Sequence, residues 1–179
     1  MLCRSWWILV HAFTLSTALG ASTLAIGRPA LGALAPGEST VFTVMAGEAH
    51  YLRLRLDQQG VDVALRLLDP GGALVAELDG PGGRWVEELL SAVTRRAGTY
   101  RVEVRAQRDQ DAGARAGKFR LVLDELRETM PEDVHRLRAD VLYHRGRHLR
   151  QLPPRERQLE ALDAFRQAAS RYRAAEDRR

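Results

Sequence analysis

Apolar side chains recur at every second position from Val41 to Leu126, and every three or four positions from Pro131 onward. A period of two belongs to half-buried strands and a period near 3.6 to amphipathic helices. The first region divides into seven strands: Val41 to Met45, Ala49 to Asp57, Val61 to Leu68, Ala73 to Leu78, Arg84 to Val93, Thr99 to Ala106 and Lys118 to Leu126. Alternation is plainest in the second, where Leu52, Leu54 and Leu56 face one way and Arg53, Arg55 and Asp57 the other. In the fifth, Trp85, Val86, Leu89 and Leu90 supply the apolar positions. The second region predicts helices over Glu132 to Leu149 and Arg155 to Ala175. Their apolar positions are Val134, Leu137, Val141, Leu142 and Leu149, then Leu159, Leu162, Phe165, Ala168, Ala169 and Tyr172. Pro153-Pro154 ends the first helix and opens the second.

Turn chemistry separates the strands. Asp69-Pro70-Gly71-Gly72 and Gly80-Pro81-Gly82-Gly83 place proline where φ is preset and glycine where φ turns positive. Ala46-Gly47-Glu48 is short enough for a hairpin, and Gln107 to Ala116 reads as a longer polar loop. Short strands with turns every eight to twelve residues predict an antiparallel β-sandwich, jelly-roll-like, of about seven to eight strands. No helical pattern lies between them, which disfavours crossover α/β folds. The short link between the helices makes them an antiparallel hairpin. The fold class is therefore mainly β with an α tail.

The ends and the composition refine this. Residues 1–21 carry one early cation, Arg4, an apolar run from Trp6 to Leu19, and then small residues. That is the layout of a signal peptide, with cleavage after Gly20 or Ala21; an uncleaved anchor is the alternative. Residues 22–37, rich in Gly, Pro and Ala, read as a leading segment, 38–127 as the sandwich and 131–179 as the helical hairpin. Cys3 is the only cysteine and lies in the leader, which excludes disulfides, thiolate metal sites and a cysteine nucleophile from the mature chain. Export without disulfides points to a bacterial periplasmic or extracellular setting. The net charge of +4 resides in Arg127 to Arg179, where thirteen arginines face nine acids. The acids are interspersed at helical spacing, which describes a solvated, ion-paired face and not a nucleic-acid surface.

Within the β region the order Leu34-Ala35-Pro36-Gly37, Gly60-Val61-Asp62-Val63, Leu67-Leu68-Asp69-Pro70-Gly71-Gly72, Ala97-Gly98-Thr99-Tyr100 and Gly117-Lys118-Phe119 resembles the bacterial pre-peptidase C-terminal-like (PPC) β-sandwich. Leu142-x3-Gly146 followed by Ala161-Leu162-x2-Phe165-x2-Ala168 resembles one tetratricopeptide repeat. Its spacing is three residues longer than usual, the closing proline is absent, and a solenoid needs about three repeats. Leader, sandwich and repeat helices together resemble the opening of large tetratricopeptide proteins with a caspase-like CHAT domain. The resemblance carries no catalytic residue onto this chain.

Candidate chemistry is sparse. Asp140, His144 and His148 form one stripe of the first helix; two histidines four apart can ligate zinc, but no glutamate follows His144, and a solvated stripe accounts for them. Asp62, Asp69 and Asp79 at loop ends could offer carboxylates to calcium, although Asp69 before Pro70 also caps its own turn. Ser39, Ser91 and His50 lack a nucleophile-elbow context. Trp85, Tyr100 and Phe119 could form a carbohydrate platform, against the reading that all three are inward core aromatics. If the repeat resemblance holds, Asp140, Tyr143, Arg147 and Arg150 face its groove, where arginine would grip a peptide carboxylate. No cofactor is implied. The sequence thus predicts a non-enzymatic, exported interaction module. Its helices bury their apolar faces on the sandwich, on a second copy, or on a missing neighbour, which is a protein partner or a continuing repeat array. An accessory domain for a downstream CHAT peptidase, and a carbohydrate- or calcium-binding sandwich, are the alternatives.

Overall fold

A computed structural model describes residues 21–80, 84–108, 116–153 and 155–176. The leader (1–20), the turn residues 81–83, most of the polar loop (109–115), Pro154 and 177–179 lie outside the described residues. Nine strands precede two helices: β1 (Ser22–Thr23), β2 (Ala30–Leu34), β3 (Ser39–Ala46), β4 (His50–Gln59), β5 (Val63–Leu68), β6 (Leu74–Leu78), β7 (Glu87–Val93), β8 (Gly98–Ala106) and β9 (Gly117–Glu128), then α1 (Asp133–Gln151) and α2 (Arg155–Glu176).

The strands form two sheets, ordered β1-β3-β8-β5-β6 and β2-β9-β4-β7. Consecutive strands repeatedly change sheet, as in a jelly roll. Only β1, beside β3, pairs in parallel among the named strands. One core fills the space between the sheets. Phe42, Val44, Leu65, Leu67, Tyr100, Val102 and Val104 meet Leu52, Leu54, Leu56, Leu90, Phe119, Leu121 and Leu123. Phe119 meets Phe42 edge to face, with centroids 6.2 Å apart.

Three sequence expectations change. The segment 22–37 is more than a leader to the domain: β1 pairs with β3, β2 with β9, and Ile26 bridges to Leu123. Its small residues masked the period of two. Ala46-Gly47-Glu48 is not a hairpin, because β3 and β4 belong to different sheets. The chain arches across the sandwich instead. Ala49 takes φ +54°, and the Thr94 hydroxyl ties the arch by donating to the Gly47 carbonyl (2.7 Å) and accepting from the His50 N–H (2.8 Å). Asp69-Pro70-Gly71-Gly72 does close a hairpin, between β5 and β6, with Gly72 at φ +87°. There the Gly72 N–H donates to the Asp69 carbonyl and the Ala73 N–H to Asp69 Oδ1, both at 2.8 Å. Trp85 is the third change. It precedes β7 and is 77% exposed, whereas Tyr100 and Phe119 lie in the core.

Register in β9 shifts opposite Arg53/Leu54, so that Arg53 faces Glu125 while Leu54 faces Leu123. Asp124 is the extra residue and takes a bidentate bond from Arg55 (2.9 Å to each oxygen). The bulge ends the odd-numbered inward series Phe119, Leu121, Leu123 and brings Leu126 against the core.

The helices lie antiparallel, Gly146 beside Phe165 and Asp140 beside Tyr172. Buried Ala161, Ala164 and Ala168 let them approach, and a Cβ on Gly146 would stand 2.7 Å from Phe165 Cε1. α1 in turn lies over the seam where β6 and β7, the edge strands of the two sheets, come together. No described helix is long and apolar enough to cross a membrane.

Candidate functional site

The junction between α1 and the sandwich is made of charge. Asp133 opens α1 with its side chain fully buried and takes Arg127 Nη1 and Nη2 at 2.7 and 2.8 Å, together with the Met130 N–H at 2.8 Å. Burial alone would raise this carboxyl; the guanidinium and the N–H outweigh it and hold Asp133 below its ordinary range. Arg127 and Arg136 also pair with Glu125 at 3.1 and 3.3 Å, and both guanidinium groups lie over the Tyr51 ring. The Tyr51 hydroxyl donates to Ser91 Oγ (3.1 Å). β4, β7 and β9 thus present an outer surface of Tyr51, Ser91, Glu125 and Arg127 on which the first turn of α1 sits.

Further along α1, Arg147 Nη1 reaches Glu88 Oε1 at 3.4 Å. Glu88 is 1% exposed. Burial, reinforced by Asp62 and Asp79, overcomes the attraction of Arg147 and pushes its carboxyl up to about 7. Between these two pairs, Asp140 Oδ1 accepts from the Tyr172 hydroxyl, which joins α2 to the junction, and burial and this bond raise the phenol. His144 Nε2 lies 3.1 Å from the Leu89 carbonyl on β7. The carbonyl only accepts, so Nε2 carries the proton, and burial lowers the imidazole pKa, keeping the ring neutral. Among the described residues, Asp140 Oδ2 and His144 Nδ1 are buried without a hydrogen-bond partner.

A cavity of about 550 Å³ opens at this point, between the outer face of the β4–β7–β9 sheet and the two helices. Arg53, Asp140, Tyr143, His144 and Tyr172 line it, with Leu89 and Ala175 as apolar wall. Its other charged residues are engaged or in solvent: Glu125 pairs with Arg127 and Arg136, Glu87 with Arg55, and Glu176 is exposed.

The structure therefore divides the sequence-predicted residues. Asp140 is buried and His144 half-buried, both against the sandwich, while His148, one turn further along the same stripe, is exposed. Asp62 Oδ1 is buried without a hydrogen-bond partner, Asp79 Oδ1 accepts from Gln107, and Asp69 caps its turn and pairs with Arg96 at 3.1 Å. Among the described residues no three His, Cys, Asp or Glu side chains are arranged to hold a metal ion. Of the groove residues, Asp140 and Tyr143 line the cavity, Arg147 is engaged with Glu88, and Arg150 is exposed. Arg53, Tyr51, Glu88 and Glu125 escaped the sequence reading. Alternation marks Tyr51 and Arg53 only as the solvent face of a strand, and nothing local says that a helix from beyond residue 130 covers that face; Glu88 falls in the inward series of Leu90 and Ala92, and Glu125 in that of Leu121 and Leu123 until the bulge turns it outward.

No family model matches the chain, and no curated protein does. Among solved structures it is similar to a periplasmic inhibitor of g-type lysozyme, PliG, from Aeromonas hydrophila (11% identity, TM-score 0.43, covering 57% of this chain and 96% of that one). It is also similar to the pre-peptidase C-terminal domain of collagenase from Bacillus anthracis (19% identity, TM-score 0.43, 57% and 93% covered). A carbohydrate-binding module from Cellvibrio mixtus lichenase 5A is similar at 18% identity and a TM-score of 0.31, over 54% of this chain and 75% of that one.

Proposed function

We infer that this protein is a non-catalytic interaction module, exported by a bacterial cell, in which a jelly-roll sandwich carries a helical hairpin that docks a protein partner. One observation carries the reading. The hairpin turns Asp133, Arg136, Asp140 and Arg147 inward, yet leaves Val141 69% and Leu159 62% exposed, with Val134 and Leu162 also in solvent. A helix whose role ended at covering its own sandwich would place these residues the other way round. Apolar side chains held in water on both helices suit a further helix laid against them. A partner chain supplies that helix, or a tetratricopeptide-type array continuing past Arg179 does.

Export rests on the leader-like residues 1–21 and on a mature chain without cysteine. N-terminal sequencing of protein recovered from the cell envelope should begin at Ala21 or Ser22; an intact Met1 in the cytoplasm overturns that part. For the docking face, a photo-crosslinking residue replaces Val141 or Leu162 in the full chain in its native cell. A discrete protein adduct is expected from either position and none from exposed Arg105 on β8. Equal labelling at all three positions, or none, removes the reading.

A further inference from the structure

We propose that the cavity between the sandwich and the helices binds a small zwitterion, an α-amino acid or dipeptide, with Arg53 receiving its carboxylate and Asp140 and His144 its ammonium group.

The argument starts from what the fold leaves unsatisfied. Asp140 is 7% exposed, yet only one of its oxygens is used, by Tyr172. A buried carboxylate oxygen without a donor is expensive, and folded proteins rarely leave one so. His144 adds a second acceptor beside it: with Nε2–H given to Leu89, Nδ1 presents a lone pair and no bond. Two buried acceptors at one cavity wall match a group with several donors and positive charge, which an ammonium ion is.

The opposite requirement stands across the same cavity. Arg127 and Arg136, which share this surface, are each tied to carboxylates, but half-buried Arg53 has no hydrogen bond or ion pair among the described residues. Its fork of donors suits a carboxylate held in two places. A simple cation would leave Arg53 unmet, and a simple anion would leave Asp140 unmet. A molecule carrying both charges meets each. The volume of about 550 Å³ lies in the range of small-ligand sites, and Leu89, Ala175 and the Tyr143 ring offer an apolar wall for its side chain. This site is separate from the exposed apolar residues proposed to dock a partner, so either can fail without the other.

The test uses the chain from Ser22 to Arg179, titrated with L-leucine and with L-leucyl-L-leucine while the Arg53 Nε–H and His144 ring nitrogen resonances are followed by NMR. Saturable shifts at both residues are expected from one of the two ligands, and which one saturates at the lower concentration tells amino acid from dipeptide. N-acetyl-leucine and leucinamide, each lacking one charge, should bind at least tenfold more weakly. Arg53→Met, at a half-exposed position outside the core, should weaken binding tenfold or more with an unchanged circular dichroism spectrum; Asp140→Asn should do the same. No saturation by either ligand at 10 mM, on the order of ten times the weakest affinity a specific site would show, overturns the proposal. So does equal binding of the blocked compounds, or unaltered binding to folded Arg53→Met.

Discussion

Replacing Glu88 by Gln should make the protein more stable at pH 8 and leave it unchanged at pH 4.5. The buried Glu88–Arg147 contact looks like a stabilising ion pair, but the carboxyl sits up at about 7, so the folded state resists its ionisation in spite of Arg147. In the unfolded chain the same group ionises near 4.5. Between those values the folded protein holds more protons than the unfolded one, and stability falls as pH rises. One pKa unit is worth about 1.4 kcal/mol, so the full loss across the window is ~3 kcal/mol. Glutamine copies the shape and neutrality of the protonated acid; the two proteins should therefore agree at pH 4.5 and differ by ~3 kcal/mol at pH 8, the variant being the more stable. Urea unfolding followed by far-ultraviolet circular dichroism at half-unit pH steps measures this. His144 has the opposite sign. Its pKa is lowered on folding, so its contribution is lost as pH drops below 6.5, and it flattens the profile of the parent. Subtracting parent from variant cancels it. Parallel stability curves for the two proteins, or a variant less stable at pH 8, would refute the reasoning and mean that Arg147 holds Glu88 ionised.

Arg127→Ala should destabilise by ~3 kcal/mol in urea unfolding, because it strands the fully buried Asp133 carboxylate; the double variant Arg127→Ala/Asp133→Ala should recover part of this. Gly146→Ala gains up to ~1 kcal/mol of helix propensity but drives a methyl into Phe165, so a net loss of ~1 kcal/mol is expected, relieved by Phe165→Leu in a double-mutant cycle. Trp85→Ala should shift the unfolding midpoint by no more than ~0.5 kcal/mol, since the indole is mostly in solvent; a larger loss would place Trp85 in the core after all.

The sandwich was legible where residues alternate between large apolar and charged side chains. Leu52–Arg53–Leu54–Arg55–Leu56 states its two faces outright, and β4 lies where that pattern puts it. β1 and β2 were illegible because Ser22, Thr23, Ala30, Gly32 and Ala33 are too small or too polar to show a period. The change of sheet at Ala46 was hidden for another reason. A short loop fits a hairpin and an arch equally well, and only long-range pairing decides between them. The helices were placed within two residues at each end, but their burial was misread. Hydrophobic periodicity reports the apolar stripe, whereas α1 meets the sandwich through Asp133, Arg136, Asp140 and Arg147. Charged residues normally mark the wet side of a helix. Here each meets an opposite charge or a phenol on another element: Arg127–Asp133 and Glu125–Arg136 pair across the break between strand and helix, and the partners of Asp140 and Arg147 lie far off in the chain.

α1 lies along β7, and β7 ends its sheet. An uncovered terminal strand offers its free amides and carbonyls to any passing chain, and like molecules can then add to it one after another. His144 already occupies one such carbonyl, at Leu89. Detachment of the hairpin would therefore do more than loosen the tail: it would bare a template for polymerisation, so the temperature at which the helices lift off sets the onset of aggregation, ahead of melting of the sandwich itself.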